Sequence, residues 1–158
     1  MRHTGQRKTH LDACQRAEEH EVVEVAEVAD AEDLARDLAE ATRRAAAAWG
    51  LEVLCAVPEE YSSSLTAVVM PEGHNADRLR EAILQRFDMS LGMGLGRLAG
   101  KVFRIGHLGD FNDLSLMGTL AGVEMGLSLA GVPHRKGGAQ AAMDYLAGAA
   151  PAAVRRAA

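Results

Sequence analysis

The segment from Leu114 to Val132 limits what this chain can become more than any other. It is almost wholly apolar, it is long enough to consider as a membrane span, and a single charged residue, Glu124, sits inside it. A carboxylate at the centre of a span costs roughly 2.5–3.5 kcal/mol on insertion scales. Gly118, Gly122, Gly126 and Gly131 lower its hydrophobicity further, and no Trp or Tyr belt flanks it. The reading is a helix buried inside a soluble domain, with no membrane partner.

So apolar a helix needs a core around it. The chain has 158 residues, enough for one domain with a core. Aromatic residues make up only 4%, so Ala, Leu, Val and Met must fill that core. Net charge is −5, and residues 1–33 account for all of it, with four Lys/Arg against nine Asp/Glu. Residues 34–158 are balanced. No basic stripe exists for nucleic acid, so no nucleic-acid partner is expected. The two cysteines, Cys14 and Cys55, lie far apart without CxxC spacing, which argues against a disulfide framework or a zinc site. Free thiols and an N-terminus without an apolar signal region place the chain in the cytoplasm.

Local patterns give the elements. Residues 1–20 are polar and without period, as disordered segments are. Asp30 is a good N-cap, and Glu32 and Asp33 favour a helix start. A helix follows over 31–49, with Leu34, Leu38, Ala41, Ala45 and Ala48 on one face and Gly50 as its stop. Glu52–Ala56 reads as a short strand ended by Pro58, and Ser64–Met70 as a second. Asn75 caps a helix over Ala76–Phe87. Asp88–Leu91 is a third strand candidate, and Val102–His107 a fourth. Asn112 or Asp113 caps the long apolar helix, and Gly137–Leu146 is the last. This order predicts an α+β domain: a two-layer α/β arrangement with a small three- to four-stranded sheet and helices on one face.

Three features are candidates for chemistry. Gly92-Met-Gly-Leu-Gly96 has GxGxG spacing and precedes a strand pattern, so it is neither a dinucleotide fingerprint nor a phosphate loop; a turn between strands is the reading. Arg104 sits mid-strand between apolar neighbours. A rigidly presented arginine can fork two hydrogen bonds onto a carboxylate, or it can form an ordinary surface salt bridge, and pattern alone does not choose. His107 has no catalytic partner at recognisable spacing and reads as structural, while His74 and His134 read as surface residues. No metal motif is present. Gly118, Gly122 and Gly126 form a smooth stripe that suits close packing on the domain's own sheet, or a docked partner helix.

The string Lys101-Val-Phe-Arg-Ile-Gly-His-Leu-Gly-Asp-Phe-Asn112 resembles the C-terminal small domain of class V, fold-type I pyridoxal-phosphate aminotransferases, in the serine–glyoxylate group. So do Tyr61-Ser-Ser-Ser-Leu-Thr-Ala-Val68, Pro71-Glu-Gly-His74, Arg86-Phe-Asp-Met-Ser-Leu-Gly92, Leu120-Ala-Gly-Val-Glu-Met-Gly126 and Gly138-Ala-Gln-Ala-Ala-Met-Asp-Tyr-Leu146. The likeness runs from about Leu34 to Gly148. It implies the two-layer small-domain fold of these enzymes, small amino and oxo acids as substrates, and transfer of the amino group from serine to glyoxylate. It also implies that Arg104 is the residue that binds the substrate α-carboxylate.

The family's large domain, which supplies the Schiff-base lysine, has no counterpart before residue 34. The chain has three lysines, Lys8, Lys101 and Lys136, none in a cofactor-lysine context. The expectation is that this chain has no catalytic lysine, binds no pyridoxal phosphate alone, and is inactive unless a large domain joins it. Residues 1–33 are expected to be an unrelated, acidic segment from a shifted or newly started reading frame, and 149–158 a frayed tail. Self-association or a large-domain partner is expected to cover the face left exposed. The alternative is a stand-alone, non-catalytic interaction module derived from the same domain.

Overall fold

A computed structural model describes residues 31–148. The N-cap expected at Asp30, the remainder of the acidic segment and the tail 149–158 lie outside the described residues. Contacts divide the chain between Asp33 and Leu34; the account below is of residues 34–148, with residues 31–33 described only as helix.

Helix α1 occupies residues 31–49. Leu38, Ala41 and Ala45 turn inward as their spacing requires, joined by Ala46 and Trp49. Gly50, at φ +78°, ends the helix. Arg135 then satisfies its last carbonyls, donating from Nε to Ala48 O at 3.1 Å and from Nη2 to Ala47 O at 2.8 Å.

The expected strand Glu52–Ala56 shrinks to one bridge, Val53 with Val68. Leu54 N–H still donates to Ala67 O at 2.9 Å, but the chain then leaves the ladder for a 3-10 turn at Pro58–Glu60. The true sheet has strands β1 (Leu65–Val69), β2 (Gly92–Met93) and β3 (Val102–Gly106), in the order β1-β3-β2 and antiparallel throughout. Register places Val68, Phe103 and Met93 in one row, and Ala67, Arg104 and Gly92 in the next. Successive residues of a strand face opposite sides. Val68, Phe103 and Ile105 thus enter the helix-covered core, and the Ala67–Arg104–Gly92 row lies on the other face.

Helix α2 (Ala76–Phe87) begins under Asn75, whose Oδ1 accepts from Asp77 N at 2.8 Å and Arg78 N at 3.3 Å. It ends at Asp88, which adopts a left-handed φ of +53°. That turn overturns the strand expected at Asp88–Leu91: the backbone becomes extended and paired only at Gly92. Helix α3 (Asp113–Leu129) starts under Asn112, whose Oδ1 accepts from Ser115 N at 3.0 Å. Leu116, Leu120, Val123 and Leu127 form its buried side.

Within the glycine stripe of α3, Gly126 packs on α2 and Gly122 on Met89, just past the end of α2, rather than on the sheet. A methyl on Gly126 would collide with Ile83, and one on Gly122 would stand 2.8 Å from Met89 Cε, while Gly118 faces open space. Helix α4 (Gly138–Gly148) closes the described fold. No described helix is long and apolar enough to cross a membrane.

Candidate functional site

Arg104 lies mid-strand on β3, half-buried, with Ala67 of β1 and Gly92 of β2 as its register partners. Both neighbours are small, so no bulky side chain stands beside the guanidinium in its row. The ion pairs of Glu40 with Arg43 and Arg44 and of Asp77 with Arg80 do not involve it. Its Nε is buried without an acceptor, and its terminal nitrogens bond no described residue. The surface salt bridge that would make Arg104 merely structural is therefore absent among the described residues. A fixed guanidinium with no carboxylate of its own can take one from a ligand.

His107 follows at the end of β3 and is 2% exposed. Its Nε2 lies 3.0 Å from Thr66 Oγ1, its N–H donates to Ser64 O at 2.9 Å, and its Nδ1 has no partner. Burial, and then the nearby Arg43 guanidinium, lower its pKa to about 4. It is a neutral core histidine, as its isolation in the sequence suggests.

The other expectations fall away from the site. Gly92 and Met93 belong to β2, Gly94 packs against the Leu98 carbonyl and Val102, and Gly96 opens a 3-10 turn, so the glycine segment is partly ladder rather than a free turn. His134 is half-buried, with Nδ1 2.7 Å from Val132 O. His74 is half-buried as well, so neither is a fully exposed surface residue. No group of metal-ligating side chains occurs among the described residues. Sequence reasoning missed a cavity of about 270 Å3 whose wall includes Arg43, Cys55, Tyr61, Thr66 and Ala67. Arg43 already pairs with Glu40 at 3.0 Å and stacks 4.6 Å from the Tyr61 ring centre. Gly92 pairs with Arg104 across the sheet, where the sequence suggests only a turn.

No family model matches the chain. Individual proteins do. Over 110 residues it is 49% identical to the serine–glyoxylate aminotransferase of Methylorubrum extorquens, a match covering 69% of this chain and 27% of that protein. It is 47% identical over 110 residues to the serine–glyoxylate aminotransferase of Arabidopsis thaliana, again covering 69% and 27%. The chain is homologous to the C-terminal portion of class V aminotransferases of the serine–glyoxylate group. The chain superposes on the pyridoxamine–pyruvate aminotransferase of Mesorhizobium loti with a TM-score of 0.70 and 29% identity, over 75% of this chain and 31% of that one. Against the ureidoglycine–glyoxylate aminotransferase of Bacillus subtilis the TM-score is 0.67 at 27% identity, over 73% and 30%. The expected small-domain fold of fold-type I aminotransferases is thus present, and the chain spans 27% of the length of the two curated relatives named.

Enzymes of this family use pyridoxal phosphate. The described residues do not fit that cofactor. Lys101 and Lys136 are both exposed, whereas a Schiff-base lysine is activated in a desolvated pocket or beside another cation. Helix N-termini are the natural phosphate cradles, yet Asn75, Asn112 and Glu124 already accept the leading N–H groups of α2, α3 and α4.

Proposed function

We propose that residues 34–148 are the substrate-carboxylate-binding domain of a serine–glyoxylate type aminotransferase, and that Arg104 grips the carboxylate of the amino donor and then that of the oxo acid. In the intact relatives this would orient serine and glyoxylate in turn, since both carry a carboxylate and one fixed guanidinium suits each. The observation that carries the reading is Arg104 between Ala67 and Gly92, without a partner among the described residues, together with close identity to proteins named for this activity. Carboxylate binding to the chain tests it: glycolate should perturb the Arg104 side-chain resonances, and Arg104→Gln should abolish the effect. No perturbation in the unaltered chain would remove the reading.

The 158-residue chain by itself is proposed to carry no transaminase activity and to form no Schiff base. Both described lysines are exposed, and Lys8 sits in Arg7-Lys-Thr-His10, which lacks a cofactor-lysine context. Borohydride reduction in the presence of pyridoxal phosphate, followed by intact mass, should give no specific adduct. One adduct at a single lysine, with turnover of serine and glyoxylate, would overturn this. Mixing with a separately produced large domain should restore turnover.

Residues 1–33 are proposed to be unrelated in sequence to the domain at 34–148, in a cytoplasmic protein; limited proteolysis should yield a resistant core of about the length of 34–148. Leu95, Leu108 and Leu114 are 63%, 67% and 82% exposed. Apolar exposure of that kind favours association with a second copy or a large domain, and sedimentation velocity across a concentration series should show it.

A further inference from the structure

A guanidinium can take a carboxylate end-on, through its two terminal nitrogens, or side-on, through Nε and one terminal nitrogen. In Arg104 these modes are not equivalent. Nε is buried, whereas neither terminal nitrogen is both buried and unbonded, and neither bonds a described residue. Gly92 lies over Nε. A Cβ built on Gly92 would stand 2.9 Å from Arg104 Cβ, 3.3 Å from Nε and 3.3 Å from the Arg104 carbonyl oxygen. The β2 backbone therefore rests directly on the arginine stem, in the register that pairs Gly92 with Arg104. Because Nε meets no acceptor, packing against Gly92 rather than a hydrogen bond sets the course of the side chain.

We propose that Gly92 is a positioning residue for carboxylate recognition: its missing side chain lets β2 seal Arg104 Nε, leaving the end-on pair of terminal nitrogens as the fork that a ligand carboxylate meets. This rests on Arg104 being the carboxylate residue. The consequence is directional. The ligand carboxylate must approach along the line of the arginine stem, with both oxygens facing the terminal nitrogens. A methyl at position 92 meets Arg104 Cβ, which is fixed by the strand, so the guanidinium must swing or β2 must lift. Either change alters the direction of the fork and opens Nε to water.

Arginine side-chain NMR of the full 158-residue chain tests the proposal, with glycolate as a carboxylate that does not react with amines. The Arg104 Nε–H should exchange slowly with solvent before and after glycolate, while the terminal N–H resonances shift on binding. Gly92→Ala should bind glycolate roughly tenfold more weakly, as expected for loss of one charge-assisted hydrogen bond, and its Nε–H should exchange quickly. Met93→Ala, on the same strand but in the other row, should behave as the unaltered chain does. Direct hydrogen bonding of Nε–H to glycolate, or a Gly92→Ala chain with unchanged affinity and exchange, would overturn the end-on grip while leaving Arg104 as the carboxylate residue. No response of Arg104 to glycolate would overturn the carboxylate reading itself, and the grip with it. If Gly92→Ala fails to fold, the exchange rate and glycolate shift of Nε–H in the unaltered chain still decide.

Discussion

Trp49 and Glu124 stand 75 residues apart in sequence and meet through a 2.8 Å hydrogen bond from the indole Nε1 to the carboxylate Oε2. The same carboxylate accepts from the N–H groups of Gly137 at 2.9 Å, Gly138 at 2.8 Å and Ala139 at 3.2 Å. The one charge in the apolar run is therefore the N-cap of α4, supplied by α3, and the anchor of the chain's only tryptophan. Glu124→Ala should lower unfolding free energy by about 2–4 kcal/mol, from a lost cap plus a buried indole N–H without an acceptor. Urea titration followed by Trp49 fluorescence reads it, and a loss well under 1 kcal/mol would show that water replaces the carboxylate.

Acid should weaken the fold in two successive windows. Burial and Arg43 hold His107 at a pKa of about 4 against an ordinary 6.5, so the native state favours the neutral ring. Its contribution is complete above pH 6.5 and is lost as pH falls towards 4, to a total of about 3 kcal/mol. For Glu124, burial pushes the carboxyl up, but the Gly137 N–H, the Trp49 indole and the Ala139 and Gly138 N–H groups together hold it below the ordinary 4.5. Its contribution is present above pH 4.5 and is lost below that, through its folded pKa. Urea midpoints at pH 7, 6, 5 and 4 should fall steadily, and His107→Gln should flatten the slope between pH 6.5 and 4.5. An unchanged slope would mean that His107 titrates normally.

Two glycines of α3 should respond oppositely to alanine. Gly126→Ala drives a methyl into Ile83, and overpacking of this kind costs about 1–3 kcal/mol. Gly118→Ala meets nothing within 4 Å on an exposed helix position and should stabilise by about 0.5–1 kcal/mol. Thermal melts of the two variants side by side check this; equal shifts would refute the packing of α3 on α2.

Arg104 should be a residue whose absence makes the domain more stable. Its Nε is buried without a partner, a cost that a methionine of similar length does not carry. Arg104→Met should raise the urea midpoint, by about 1 kcal/mol in unfolding free energy, while removing carboxylate binding. A lower midpoint would assign Arg104 to the scaffold instead.

Where a short-range signal decides the backbone, the fold is legible. Asn75 before Ala76 and Gly50 after Trp49 placed helix ends that the structure reproduces, and of the two caps open for α3, Asn112 or Asp113, the structure takes Asn112. Alternation placed β1 and β3 to within a residue at each end. Strand readings failed where pairing depends on distant chain: Glu52–Ala56 has strand-like residues but pairs only at Val53, and Asp88–Leu91 begins at a left-handed aspartate that propensity did not reveal. At the site, Arg104 stands out because a cation sits mid-strand. Gly92 does not, because its meaning comes from the residue across the ladder. Glu124 was visible only as an obstacle to membrane insertion, since nothing local links it to Trp49.

Helix α4 borrows its cap from another helix, and this sets an order of assembly. Its sequence opens on Gly137-Gly138, without a local N-cap side chain, and a helix of 11 residues is marginal on its own in water. The N–H groups at its start find their acceptor only once α3 has formed and its Glu124 has swung into place. The bond to Trp49 in turn waits for α1 to close a loop of 75 positions. Residues 138–148 should therefore acquire protection from hydrogen exchange last during refolding, after α3 and never before it.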